Sequence, residues 1–181
     1  MGKIFYIMGK SASGKDTIYK ELIEKMPKFH SIVPYTTRPM REGEKDGVEY
    51  FFVDQERFDE MMDEEKIIEF RSYNTKCGIW TYFTADDGQV NLDASDYLGI
   101  GTLESYVKMR EYYGKENVCP VYIEVEDGER LARALNRERS QKTPRYEEMC
   151  RRFLADQEDF SEEKIAAAGI KKRFQNIDLE K

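Results

Sequence analysis

The sequence predicts an α/β fold with a central parallel sheet flanked by helices. Three observations carry that expectation. Short apolar runs rich in Ile, Val and Tyr recur along the chain at Lys3–Met8, Tyr97–Ile100 and Cys119–Val125. Segments with helical spacing of apolar residues separate them, the pattern of parallel strands joined by crossovers. Between the first such run and the first helix lies a glycine loop, Gly9-Lys10-Ser11-Ala12-Ser13-Gly14-Lys15.

Taken in order, Lys3–Met8 reads as a buried strand, and Ile18, Leu22, Ile23 and Met26 fall on one helical face that Pro27 closes. Ser31–Pro34 is extended, because a proline holds the residue before it out of the helical region. A turn-rich charged stretch, 38–47, leads to a strand at Glu49–Val53. Gln55–Glu65 is helical with Phe58, Met61 and Met62 inward. Ile67–Tyr73 and Trp80–Thr84 are strands around a turn at 74–78, and Asp86-Asp87-Gly88 is a second turn. Tyr97–Ile100 is a weak strand, Leu103–Tyr113 a helix ended by Gly114, and Cys119–Val125 a clear strand. Glu129–Arg139 is a helix with Leu131 and Leu135 inward. After a polar break at 141–144 come helices at Arg145–Phe160 and Glu162–Ala168, and a last strand at Arg173–Ile177. The antiparallel-looking stretch 49–84 reads as an insertion on the parallel core.

The 181 residues suffice for one domain with a real core. A hydrophobic share of 40% beside 36% charged residues fits a soluble protein, and the net charge of −7 disfavours general nucleic-acid binding. No apolar run reaches the ~20 residues of a membrane span, and no cleavable signal opens the chain. Cys77, Cys119 and Cys150 are odd in number and widely spaced, which suits free thiols in a cytoplasmic setting. The single His30 excludes a multi-histidine metal site.

The glycine loop has the Gly-x4-Gly-Lys spacing in the context that gives it meaning, after a strand and before an amphipathic helix. Backbone N–H groups of residues 10–15 can face phosphate oxygens there, with the helix dipole behind them. Gly9, Ser11, Ala12, Ser13 and Gly14 form the cradle, and Lys15 supplies a mobile cation. After Lys15 stands Asp16, where such loops carry Ser or Thr, and then Thr17. Asp16 either holds Mg²⁺ through water or turns away as an early-helix acid; Thr17 is the alternative hydroxyl. Further on, Arg38 and Arg41 offer two planar forks for a second anion, and Tyr50 a hydroxyl.

The string Thr36-Thr37-Arg38-x-x-Arg41-x-Gly43-Glu44-x-x-Gly47-x-x-Tyr50-x-Phe52, with the loop before it and Phe58 and Glu69 after it, resembles the guanylate kinase family over about the first 70 residues. The resemblance implies a P-loop NTPase core, a small mixed α/β nucleotide-binding insertion and a helical lid. In this chain these correspond to core segments 1–33, 91–128 and 159–181, an insertion at 34–90 and a lid at 129–158. It implies ATP-dependent phosphorylation of GMP, and of dGMP, with Mg²⁺ accompanying ATP. Arg38, Arg41 and Tyr50 would hold the GMP phosphate and Glu69 the guanine donors. Lid arginines would reach the transferring phosphate: Arg152 aligns best, Arg137 and Arg139 are ambiguous, and Arg133 and Arg151 are further candidates. Asn176, in Asn176-Ile177-Asp178-Leu179, would contact the donor base or serve a turn. The implied partners are small nucleotides, neither nucleic acid nor membrane, with the protein a monomer or weak homodimer.

The pattern breaks in places. The family's Tyr-Gly-Thr or Tyr-Gly-Ser segment is missing, leaving Tyr82 and Thr84 as substitutes for its tyrosine and hydroxyl. Its Asp-x-Asp is replaced by Gly99-Ile100-Gly101, and Pro34 stands for a serine. These changes touch base recognition and metal support while the phosphate grips remain. A kinase for another nucleotide or a ribose phosphate, and a non-catalytic binding module, are therefore the rival readings.

Overall fold

The computed structural model describes residues 1–75 and 77–177. Its core is a five-stranded sheet, all parallel, in the order β2-β7-β1-β8-β9. The strands are β1 (Ile4–Met8), β2 (Phe29–Ser31), β7 (Asp96–Gly101), β8 (Val118–Glu124) and β9 (Arg173–Gln175). Side chains of β1 alternate as the pleat requires. Ile4, Tyr6 and Met8 pack with α3 (Leu103–Tyr113) and α6 (Glu162–Ala167) through Leu103, Tyr106, Met109 and Ile165. Ile7, with Leu98 and Ile123, meets Ile18, Leu22 and Ile23 of α1 (Lys15–Lys25) on the other face.

Residues 35–85 build a second sheet, ordered β4-β3-β6-β5: β3 (Tyr35–Thr36), β4 (Phe51–Phe52), β5 (Ile67–Thr75) and β6 (Gly78–Ala85). The β5–β6 pair is antiparallel and sets Glu69 opposite Thr84 and Arg71 opposite Tyr82. Helix α2 (Gln55–Asp63) seats Phe58 and Met61 against Phe83 and Ala85. Met62, expected inward, is exposed. Helices α4 (Asp127–Arg139) and α5 (Tyr146–Asp159) pack on each other after β8. In α4 the buried residues are Arg130 and Ala134; of the two leucines expected inward, Leu131 is exposed and Leu135 is half-buried. The hydrophobic effect favours Leu, but Arg130 has three oxygen partners that repay its burial. Residue 76 of the β5–β6 turn, and Asp178 and Leu179 of the C-terminal motif, lie outside the described residues.

Candidate functional site

The glycine loop follows β1, which lies between β7 and β8 at the middle of the parallel sheet. The connection from β1 runs toward the β2 edge and that from the neighbouring β8 toward the β9 edge, and such a switch point opens a crevice at the carboxyl ends of the strands. The loop needs small residues. A Cβ on Gly9 would lie 2.6 Å from the Ile123 carbonyl oxygen. Gly14 has φ 83° and Ala12 φ 61°, left-handed conformations that turn successive N–H groups to one side. Asn176 is buried and donates from Nδ2 to the Ser13 carbonyl at 2.9 Å, so its side chain braces the loop. Lys15 is partly exposed and 3.2 Å from Asp16, whose own side chain is exposed, as is Thr17.

Two of the loop N–H groups are engaged by the protein itself. Ser13 N donates to the Lys10 carbonyl at 3.2 Å. Ser11 N donates to the Asp156 carboxylate of α5 at 2.8 Å. Arg130, which the sequence reading passed over, closes this network: Nη1 donates to the Ser11 carbonyl at 2.9 Å, Nη2 lies 2.7 Å from Asp127, and Asp156 is 3.6 Å away. Its guanidinium also covers the Phe153 ring at 4.7 Å. Lys10 adds a bond to Gln157 at 2.6 Å. Thus α4 and α5 are tied to the leading edge of the loop. The only sequence signal was the Asp127–Arg130 spacing of three, which is common on helices.

Arg137 and Arg152 line one small cavity together with Ser11, Arg130 and Phe153. The other lid candidates have partners: Arg133 holds Glu129 and the Asn176 carbonyl, and Arg151 holds Glu148. Arg139 is exposed.

The second cluster lies on the small sheet. Arg38 is buried and gives both terminal nitrogens to Glu44, at 2.8 and 2.6 Å. Its guanidinium sits 5.1 Å from the Tyr50 ring and 5.4 Å from that of Phe52. The bonds from Arg38, despite some burial, hold the Glu44 carboxyl down at about 2. Tyr82 stands 5.7 Å from Tyr50, and burial, then Tyr82, raise the Tyr50 hydroxyl above its ordinary range. Arg41 is exposed at the rim, its backbone N–H on Glu44 at 2.8 Å. Glu69 is buried and accepts from the Thr84 hydroxyl at 2.8 Å. Burial raises its pKa, against the nearby charge of Arg71. Arg38, Tyr50, Tyr82, Glu69 and Thr84 therefore share one region, with Arg41 on its edge.

Among the described residues no group of three His, Cys, Asp or Glu side chains could hold a metal ion, and no helix is long and apolar enough to cross a membrane.

The guanylate kinase family model matches residues 1–83. Over 68 residues the chain is 44% identical to the guanylate kinase of Legionella pneumophila (strain Paris), which covers 38% of this chain and 32% of that protein. Over 57 residues it is 51% identical to the guanylate kinase of Helicobacter hepaticus, covering 32% and 28% respectively. The matched stretch thus spans about a third of the length of these curated relatives. A crystal structure of guanylate kinase from Anaplasma phagocytophilum aligns with 99% of this chain and 79% of its own, at TM-score 0.63 and 21% identity. That identity speaks for a shared fold, and the alignment extends the likeness beyond residue 83.

Proposed function

We propose that the chain, whose residues 1–83 match the guanylate kinase family model, belongs to that family and transfers the γ-phosphoryl group of ATP to GMP, and to dGMP. The observation that supports this reading is that the chain carries two anion-holding units, a glycine loop at the sheet switch point and an arginine–tyrosine cluster around Arg38. Two such units suit a donor and an acceptor that both carry phosphates.

ATP would lie on Gly9–Thr17, with Lys15 free to follow the β- and γ-phosphates. The acceptor phosphate would compete with Glu44 for the Arg38 fork and take Arg41 from the rim, with Tyr50 and Tyr82 donating hydroxyls. Glu69, supported by Thr84, would accept from the guanine N–H groups. A GMP phosphate oxygen then forms the new bond to the γ-phosphorus as the bond to the bridging oxygen breaks and ADP leaves. Such reactions need placement and charge neutralisation more than covalent help. Arg137 and Arg152, which line one cavity with Ser11, would neutralise the transferring group. The exposed cysteines at 77 and 150 fit a reducing cytoplasm.

Mg²⁺ would arrive with ATP. The phosphates would hold it, with Asp16 or Thr17 as the protein's contributors. Bound there, it would neutralise phosphate oxygen charge.

A coupled assay with Mg-ATP and GMP, dGMP, AMP, CMP, UMP and ribose 1,5-bisphosphate tests the proposal. Selective ADP release with GMP supports it. Turnover only with another acceptor moves the substrate, a reading favoured by one observation: Gly99 and Gly101 stand where the resemblance leads one to expect acids. ATP binding with no turnover favours a binding module.

A further inference from the structure

Where the family resemblance leads one to expect two acids, β7 carries Gly99 and Gly101. The structure shows what fills their space. A Cβ on Gly99 would lie 2.7 Å from the Tyr6 ring, and one on Gly101 would strike the Tyr6 hydroxyl and lie 2.5 Å from Ser105 Oγ. Tyr6 is buried, and its hydroxyl donates to Ser105 Oγ at 2.8 Å. Ser105 and Thr102 form the reciprocal cap of α3. Thr102 Oγ1 in turn accepts from Arg71 Nη1 at 3.1 Å. Arg71 thus reaches from β5 to the end of β7, bringing a cation to where acids were expected.

Its other end meets Glu69. Arg71 Nε lies 3.3 Å from Glu69 Oε2, in a pair whose side chains are 18% and 3% exposed. Both atoms are buried, and neither has an aligned hydrogen-bond partner. A carboxylate so enclosed is costly unless a cation faces it. The charged and titratable groups around Glu69 are Arg71 on its own strand, Glu104 from α3 and Tyr6 from β1, with the Thr84 hydroxyl from β6. Among the described residues Arg71 is the one cation in that set. Thr84 donates to Oε1, and Arg71 faces Oε2.

We propose that Arg71 is the positioning residue for the acceptor base: it holds Glu69 as an oriented carboxylate, doing from β5 what the acids missing from β7 cannot. The proposal rests on the reading of the acceptor as GMP. Without Arg71, burial and Glu104 favour protonation of Glu69, and only the Thr84 hydroxyl bond opposes it. Protonation removes an acceptor that the guanine N–H groups need, so GMP binding weakens as pH falls.

The test compares the full-length protein with R71M and R71K, measuring KM and kcat for GMP and for ATP between pH 6 and 8.5. Thermal unfolding is followed in parallel. R71M is expected to raise the GMP KM roughly tenfold or more near neutral pH while kcat and the ATP KM change by less than about threefold. That KM should climb further as pH falls, whereas the wild-type value stays flat; R71K should recover most of the loss. An R71M protein with the wild-type KM and pH profile overturns the proposal. So does a uniform loss in every parameter that R71K fails to recover and that tracks unfolding, since it marks Arg71 as a structural bridge. A wild-type protein that does not phosphorylate GMP sinks the functional reading itself, and this proposal with it.

Discussion

Replacing Arg130 by methionine should cost the protein a measurable part of its stability. Arg130 is 1% exposed and carries bonds to the Ser11 carbonyl and Asp127, with Asp156 at 3.6 Å. Methionine keeps much of the stem volume, so little packing is lost over Phe153. The loss comes from the charges left behind. Removing one partner of a buried ion pair costs about 3–5 kcal/mol. The lower end, about 3 kcal/mol, applies here, because the Asp127 side chain is 44% exposed and recovers water. In a chain of this length each kcal/mol moves the unfolding midpoint by about 2–4 °C, so a drop of about 6–12 °C is expected. Urea unfolding and calorimetry of R130M measure both quantities. The double variant R130M/D156N should lose less than the sum of the single losses, because the carboxylate that lost its cation is neutralised. A loss below about 1 kcal/mol, or strict additivity, refutes the reasoning; the network would then be a surface arrangement without energetic weight.

Other outcomes follow from the same geometry. Lys15→Met and Arg41→Ala should each lower kcat/KM at least about a hundredfold, since each removes a charge from a phosphate. Unfolding midpoints should stay near wild type, because both side chains reach solvent; a large fall in either midpoint contradicts this. The Glu44 carboxyl sits at about 2 in the fold, below its ordinary 4.5. Its contribution to stability is therefore complete above about pH 4.5 and lost as pH falls toward about 2. Glu44→Gln should flatten that part of the pH–stability curve, and an unchanged acid limb would remove the Arg38–Glu44 pair from the account. Gly99→Ala should cost about 1–3 kcal/mol by overpacking against Tyr6. The same substitution should cost less in a Tyr6→Leu background, and equal costs would show that Tyr6 is not the obstacle.

The glycine loop was legible because its spacing, the strand before it and the helix after it are all local. The string from Thr36 to Phe52 was legible as a family pattern for the same reason. Less was visible where partners come from far along the chain. Arg130 looked like any helix arginine, and Leu131 looked like the inward residue. The choice between them depends on Ser11, 119 residues away, and on Asp156. Gly99 and Gly101 read only as missing acids; the ring of Tyr6 and the reach of Arg71 could not be inferred from residues nearly 100 and 30 positions apart. Met62 failed for a simpler reason: a nine-residue helix on a small sheet buries a narrow stripe, and two apolar residues fill it.

By itself the sequence determined the class of fold, and it singled out the glycine loop and the arginines Arg38 and Arg41 as the candidate phosphate-holding groups. Those depend on periodicity, turn chemistry and short spacings, which a chain carries locally. Only the tertiary structure decided which charges meet: Arg130 with Ser11 and Asp156, Arg38 with Glu44, and Arg71 with Glu69. The energy of a buried charge depends on what surrounds it in space, and that is set only when distant strands and helices have packed together.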